Sequence, residues 1–148
     1  MMTVITGSPA ETQAFAQKLG KRLTAGTCIA FTGGLGMGKT TFTRGLALGM
    51  GLPDVVSSPT FSLVNEYHGE GCLSLYLFDM YRVDSPEALE TTGFWDYPLQ
   101  EAVFVIEWSE HIAEVLPKDT VFITIERIDD ETRRITVEGG ALFADLSD

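Results

Sequence analysis

Residues 27–41 of the chain have the sequence TCIAFTGGLGMGKTT, and this stretch decides the fold class. Residues 28–31 form an unbroken apolar run, which is typical of a strand buried on both faces of a sheet. Residues 33–40 match the pattern G-x-x-x-x-G-K-[ST]. A helix is predicted over residues 39–50, and Gly51 ends it. A strand, a glycine-rich loop and a helix in this order predict a phosphate-binding P-loop.

The P-loop pattern also predicts which groups hold a nucleotide. Backbone N–H groups of such a loop surround an anion, and the next helix adds the positive end of its dipole. We expect Lys39 to reach the β- and γ-phosphates, Thr40 to ligate Mg²⁺ and Thr41 to touch the α-phosphate. The predicted nucleotide contacts are therefore Gly34, Leu35, Gly36, Met37, Gly38, Lys39, Thr40 and Thr41.

Two acidic residues end two other predicted strands. Glu107 follows the continuous apolar run at residues 102–106, and Asp79 follows the alternating residues 72–78. Ligands of α/β sheets bind at the carboxyl ends of the strands. We expect Glu107 to hold Mg²⁺ or polarise the attacking water, and Asp79 to orient water or the Mg²⁺ shell. The alternatives are a surface ion pair for Glu107, and a strand cap or a pair with Arg82 for Asp79.

Four further side chains have two interpretations each. Thr60 follows Pro59 in the loop after the P-loop helix, where a Thr senses the γ-phosphate in many P-loop NTPases, or it is a simple turn residue. Trp108 is a rim aromatic for a partner or a half-buried anchor. His68 and His111 either have a functional role or are solvent-facing residues of loops or helices. We expect the second, because the sequence shows no pairing pattern around them.

The remaining patterns complete the fold prediction. Strands are expected over residues 2–6, 61–67, 120–128 and 133–138, with 61–67 and 72–78 antiparallel across a turn. A capping box at residues 8–11 starts one helix, and a short helix starts at Ser85. We therefore predict an α/β fold over residues 1–148: a single-domain P-loop NTPase whose mixed central sheet, parallel plus antiparallel, is flanked by helices.

Composition limits the partners. The chain has 10 Lys plus Arg against 21 Asp plus Glu, a net charge of −11, which disfavours direct binding of nucleic acid and favours a basic protein partner. No stretch approaches the roughly 20 apolar residues of a membrane span, and no targeting signal is visible, so we expect a cytoplasmic protein without a membrane partner. Cys28 and Cys72 are far apart and are expected to be reduced, partly buried thiols.

Four blocks of sequence together resemble the TsaE family, also called YjeE. They are GGLGMGKTTF at residues 33–42, SPTFSLV at 58–64, FDMYR at 78–82 and VIEW at 105–108, and they occur in the family's order. The resemblance covers nearly the whole chain. It implies a bacterial ATPase with weak hydrolysis that acts in the N6-threonylcarbamoyladenosine modification of tRNA.

The resemblance also implies partners and roles. The partner is the TsaB–TsaD assembly, which performs the transfer, while the ATP cycle of the TsaE protein resets or sustains that assembly and tRNA contacts the chain mainly through the partners. Lys39 then holds phosphates and Thr40 and Glu107 hold Mg²⁺. Asp79 and Thr60 serve hydrolysis or coupling. Thr12 and Arg134 match family positions beside the nucleotide, which adds them to the predicted nucleotide contacts.

The chain departs from the family pattern at two positions. Gly34 stands where the family usually has an acid, and Phe78 stands where it usually has a His. The first departure changes the charge beside the phosphates, and the second removes a polar neighbour of Asp79. Neither removes a predicted phosphate or metal ligand.

Three other functions fit a P-loop. A small-molecule kinase commonly has an arginine-rich lid, but no arginine-rich segment is visible here, and Arg133-Arg134 is the only adjacent pair of arginines. A GTPase needs the pattern N-K-x-D, which is absent, so ATP is favoured. A nucleotide-gated binding module remains open, because the predicted ligands serve binding as well as hydrolysis.

Overall fold

A computed structural model describes residues 2–32, 39–52, 64–80, 83, 85–90, 94–109 and 112–139, with only the backbone described at residues 39, 40, 65 and 90. Within these residues no helix is both long enough and apolar enough to cross a membrane.

The described residues contain one seven-stranded sheet with the order β1-β7-β6-β2-β5-β4-β3. The strands are β1 (Met2–Thr6), β2 (Thr27–Thr32), β3 (Val64–Tyr67), β4 (Ser74–Asp79), β5 (Ala102–Glu107), β6 (Val121–Arg127) and β7 (Arg133–Glu138). β2 pairs in parallel with β5 and β6, and β5 pairs in parallel with β4. The pairs β1–β7, β6–β7 and β3–β4 are antiparallel. The predicted mixed sheet is confirmed.

The helices lie where the sequence predicts them. They are α1 (Pro9–Gly20), α2 (Lys39–Met50) and α3 (Pro86–Glu90), with 3-10 helices at Phe94–Asp96, Leu99–Glu101 and Ala113–Val115. The N-terminus of α1 is capped because the Ser8 hydroxyl accepts from the N–H of Glu11 at 3.2 Å. The Glu11 carboxylate accepts from the N–H of Gly7 at 2.9 Å, one residue before the cap. The Ser8 half of the predicted capping box is therefore confirmed, whereas the Glu11 carboxylate binds the N–H of Gly7 instead of that of Ser8.

Strand boundaries shift slightly from the prediction. β3 is described over Val64–Tyr67, and residues 61–63 of the predicted strand lie outside the described residues. β4 begins at Ser74 rather than residue 72. Both β4 and β5 include one residue more at their carboxyl ends, so Asp79 and Glu107 are the last residues of their strands.

The two faces of the sheet have separate cores. One face packs against α1 and α2 and contains Ile29 and Phe31 of β2 and Leu75 and Leu77 of β4. The other face, over β2, β5 and β4, is covered by α3 and the 3-10 helices, and Phe94 packs there. Because strand residues alternate between faces, each position along β2, β4 and β5 has a defined side.

Backbone contact through glycine holds α1 against α2. A Cβ added at Gly45 would lie 2.5 Å from the carbonyl oxygen of Gln13, and one at Gly49 would lie 2.3 Å from that of Gln17. The pairing of Gln13 with Gly45 and Gln17 with Gly49 shows that the helices run in the same direction. Their N-termini therefore lie at the same edge of the sheet.

We predict that Gly49→Ala lowers the free energy of unfolding by roughly 2–3 kcal/mol, because the helices must separate to admit the methyl group. Urea unfolding measures the loss. Gly7→Ala is the matched control, since its Cβ would meet only the flexible carboxylate of Glu11, at 3.5 Å. Equal losses in the two variants would contradict the close helix contact.

Candidate functional site

The carboxyl ends of three parallel strands meet at one edge of the sheet. Asp79 and Glu107 are directly opposite each other in the β4–β5 register. On the other side of β5, Ala30 of β2 is opposite Ile106, so β2 ends beside Glu107 and the P-loop segment follows directly. The register thus brings the two predicted acids together at the edge where the P-loop begins.

Asp79 and Glu107 also share one face of the sheet. Because side chains alternate along a strand, Asp79 lies on the same side of the sheet as Leu77, and Glu107 lies on the same side as Val105. Leu77 and Val105 both belong to the core against α1 and α2. The acids therefore lie on the face that α2, the helix after the P-loop, covers. A single-residue shift in either register would move one acid to the opposite face.

A backbone hydrogen bond beyond the ladder joins the two strand ends. The N–H of Met80 donates to the carbonyl of Glu107 at 3.0 Å. Glu107 is only 8% exposed, and Asp79 is half-buried. The Glu107 carboxylate is therefore buried at the strand end rather than exposed on the surface. Trp108, the next residue, is half-buried against the second core and has a positive φ of 60°.

This pair of acids fits a Mg²⁺ ion. Mg²⁺ is usually bound through one or two carboxylates together with phosphate oxygens and water. Within the described residues no group of three or more His, Cys, Asp and Glu side chains is placed to hold a metal. Asp79 and Glu107 supply two carboxylates from adjacent strands, and their edge adjoins the P-loop segment that carries the phosphate-binding pattern.

The predicted phosphate contacts are only partly within the described residues. Lys39 and Thr40 are the first two residues of α2, as predicted, and Thr41 follows them in its first turn with its side chain half-buried. Gly34, Leu35, Gly36, Met37, Gly38 and Thr60 lie outside the described residues, as does His111.

Thr12 and Arg134 lie on opposite sides of the sheet. Thr12 is buried in α1, and its hydroxyl is 2.6 Å from that of Thr6 at the carboxyl end of β1. Arg134 is opposite Ile5, which is 55% exposed, and its guanidinium lies 3.9 Å from the carboxylate of Glu126. Thr12 is thus fixed on the α1 face at the same edge as the acids, while Arg134 is exposed on the other face.

Phe78 is a core residue rather than a site residue. It is 2% exposed, and its ring lies 4.8 Å from that of Phe94, 5.3 Å from Tyr97 and 4.9 Å from Phe104. Its side chain belongs to the face away from α2, so it does not share the face of Asp79. Phenylalanine at this position therefore contributes to the second core. The alternation of side chains along β4, which is visible in the sequence, indicates that Phe78 and Asp79 lie on opposite faces.

The structure describes His68 and both cysteines. His68 is exposed, as predicted, and on the surface its Nδ1 lies 2.6 Å from the Ser74 hydroxyl and its Nε2 lies 3.2 Å from the Glu66 carboxylate. Cys28 is buried and Cys72 half-buried, and both are free thiols as predicted. Burial raises the pKa of the Cys28 thiol to about 12, which keeps it protonated and unreactive at neutral pH.

A cavity of about 460 Å³ lies away from the acids. Its lining includes Gly20 and Met50 at the ends of α1 and α2, and Cys72 before β4. These residues lie at the opposite edge of the sheet from Asp79 and Glu107. The cavity is therefore separate from the candidate nucleotide site.

Comparison with known proteins adds to this geometry. The model of a family described as threonylcarbamoyl adenosine biosynthesis protein TsaE matches residues 6–135. The chain belongs to the TsaE family. The tRNA threonylcarbamoyladenosine biosynthesis protein TsaE of Treponema pallidum is 39% identical over 141 residues, which cover 92% of this chain and 99% of that protein. The tRNA threonylcarbamoyladenosine biosynthesis protein TsaE of Bacillus subtilis is 39% identical over 131 residues, which cover 88% of this chain and 81% of that protein.

The fold agrees with this family assignment. The crystal structure of Bacillus subtilis YdiB superposes with a TM-score of 0.78 at 32% sequence identity, covering 99% of this chain and 93% of that one. The single mixed sheet flanked by helices is therefore shared with a solved protein over almost the full length of both chains.

We predict that Phe78→His lowers the free energy of unfolding by roughly 2–3 kcal/mol. The imidazole would lose ring contacts and bury a polar group among Phe94, Tyr97 and Phe104. Urea unfolding measures the change, with Trp95→His as the control because Trp95 is 51% exposed. An unchanged stability in Phe78→His would contradict the core role.

Proposed function

We propose that this chain is a Mg²⁺-dependent ATPase that serves tRNA threonylcarbamoyladenosine biosynthesis by acting on the TsaB–TsaD assembly. The observation that carries the ATPase proposal is the pairing of Asp79 with Glu107 on the face covered by α2, beside the segment with the P-loop pattern. The family supports the pathway, because the relatives carry its name. Cytoplasmic localisation is part of this proposal.

Each residue has a role that follows from its chemistry. Lys39 and the N-terminus of α2 supply positive charge for the β- and γ-phosphates. Thr40 and Glu107 hold Mg²⁺, which neutralises charge on the phosphate oxygens. Asp79, on the adjacent strand, accepts a hydrogen bond from water and so orients it. Thr60 couples the γ-phosphate to the partner assembly, and Gly34 to Gly38 enclose the phosphates with Thr41.

The arginines near the β6–β7 hairpin favour an ATPase over a small-molecule kinase. Arg127 pairs with Asp130, and Arg133 donates to the carbonyl of Asp129 at 2.8 Å. Arg134 lies beside Glu126. A kinase lid needs arginines that close on the phosphates, whereas Arg127 and Arg133 hydrogen-bond within their own hairpin.

We predict that Mg-ATP stabilises the isolated chain more than Mg-GTP does. At about 100 times Kd the gain is ~2.7 kcal/mol, which corresponds to a Tm rise of roughly 3–5 °C for a chain of this size. Thermal unfolding followed by circular dichroism measures both shifts. Equal shifts for ATP and GTP would contradict the choice of ATP.

We predict that Lys39→Ala abolishes the ATP-induced shift and that Glu107→Ala weakens its dependence on Mg²⁺. Glu101→Ala is the matched control, because Glu101 is an exposed acid at the opposite end of β5. A titration of the shift with Mg²⁺ at fixed ATP separates the variants. An unchanged metal dependence in Glu107→Ala would assign the metal to Asp79 or to water alone.

The partner proposal has its own test. The chain, immobilised with and without ATP, should retain purified TsaB–TsaD, and phosphate release should rise when the pair is added. Lys39→Ala should lose the ATP dependence of both signals. Binding of ATP without any retention of TsaB–TsaD would keep the nucleotide site and overturn the partner.

A further inference from the structure

The last two residues of β2, just before the P-loop, are held by side chains from both neighbouring strands. On one side, the Thr32 hydroxyl lies 2.6 Å from the hydroxyl of Thr124 on β6. On the other side, the hydroxyl of Ser109, two residues after β5, donates to the carbonyl of Phe31 at 2.9 Å. These two bonds flank the point where the chain enters Gly33.

The Ser109 bond lies where regular pairing with β5 has stopped. The β2–β5 register ends at Ala30 opposite Ile106, whereas the β2–β6 register continues to Thr32 opposite Thr124. The hydroxyl of Ser109, which is fully buried, therefore supplies a donor on the β5 side beyond the ladder. This keeps the end of β2 connected to the strand that carries Glu107.

The turn after Glu107 brings Ser109 back toward β2. Trp108 between them has φ 60°, a left-handed conformation that L-residues adopt at an energetic cost. Such a conformation persists where surrounding contacts fix it, and it is common at functional sites. The Ser109–Phe31 bond is one such contact, and it joins the acid Glu107 to the P-loop entry through only two residues of chain.

The Thr124 bond belongs to a row of threonines across four strands. Thr32 is opposite Thr124, Thr124 is opposite Thr136, and Thr136 is opposite Thr3 on β1. The row lies on the face away from α1 and α2, because Ile123 and Ile125 beside Thr124 belong to the core of the other face. Thr136 is therefore a threonine on the same side of the sheet as Thr124, and it lies one strand farther from the P-loop.

We propose that Thr124 and Ser109 are positioning residues that fix the P-loop entry relative to Glu107 and thereby set the affinity for Mg-ATP. The inference rests on the proposed nucleotide site and adds two residues to it. Neither residue is proposed to touch the nucleotide. Each acts through β2, Thr124 on Thr32 and Ser109 on Phe31.

The first test uses substitutions that keep shape. Thr124→Val removes the hydroxyl without changing the volume much, and calorimetry should show Mg-ATP binding weakened by about fivefold, as expected for one neutral hydrogen bond. Thr124→Ser keeps the hydroxyl and should bind within about twofold of the unaltered chain. Thr136→Val is the matched control and should also stay within about twofold. Thr32→Val removes the same bond from the other strand and should match Thr124→Val.

The second test addresses the β5 side. Ser109→Ala should weaken Mg-ATP binding and raise the Mg²⁺ concentration needed for half-maximal binding, by about threefold each, because Glu107 is no longer tied to the P-loop entry. Ser74→Ala is the control, since its hydroxyl contacts His68 at the opposite end of β4. Thermal unfolding without nucleotide separates a loss of stability from a loss of positioning.

The outcomes distinguish this inference from the proposed function. Weaker binding in Thr124→Val and Ser109→Ala, with rescue by Thr124→Ser, supports positioning. Affinity equal to that of the unaltered chain in Thr124→Val and Thr32→Val overturns it and leaves the ATP site intact. An equal loss in Thr136→Val also overturns it, because the effect would then be one of general stability. Failure of the unaltered chain to bind Mg-ATP overturns both proposals.

Discussion

Parallel hydrogen bonding of β5 with β2 on one side and β4 on the other is the constraint on which the rest of the site depends. It places the last residues of three strands at one edge, with Asp79 opposite Glu107 and the P-loop entry alongside. Because side chains alternate, the same register puts both acids on the face of α2. The metal and phosphate groups of the proposed site therefore come from strand and helix ends that the sheet aligns.

The helices support this edge from one face. Glycines at the contact between α1 and α2 let the two backbones touch, so α2 is fixed along its length against a second helix of the same direction. The opposite face is filled by aromatic rings, among them Phe78, directly before Asp79. The acids thus extend from strands that are packed on both sides, which limits how far they can move relative to α2.

Much of this arrangement was predictable from the sequence, since local patterns report local structure. The apolar run before the P-loop, the alternation of β4 and the acids at strand ends each follow from periodicity and strand-end chemistry. The order of the strands was not predictable, because pairing of β1 with β7 joins opposite ends of the chain. The contacts of His68 were also not predictable, since Glu66 and Ser74 reach it only after the β3–β4 hairpin forms. Gly45 and Gly49, four residues apart on α2, were a signal for close helix packing that the prediction did not use.

We propose that Mg-ATP binds at the edge where β2, β4 and β5 end. Replacing Mg²⁺ with paramagnetic Mn²⁺ and recording amide NMR signals of the ATP-bound chain tests it directly. We predict strong broadening of the Met80 and Glu107 amides. The amides of Ser74 and Ala102, at the other end of the same strands roughly 16 Å away, should stay sharp. Broadening centred on Ser74 and Ala102, or none at either edge, would contradict the account.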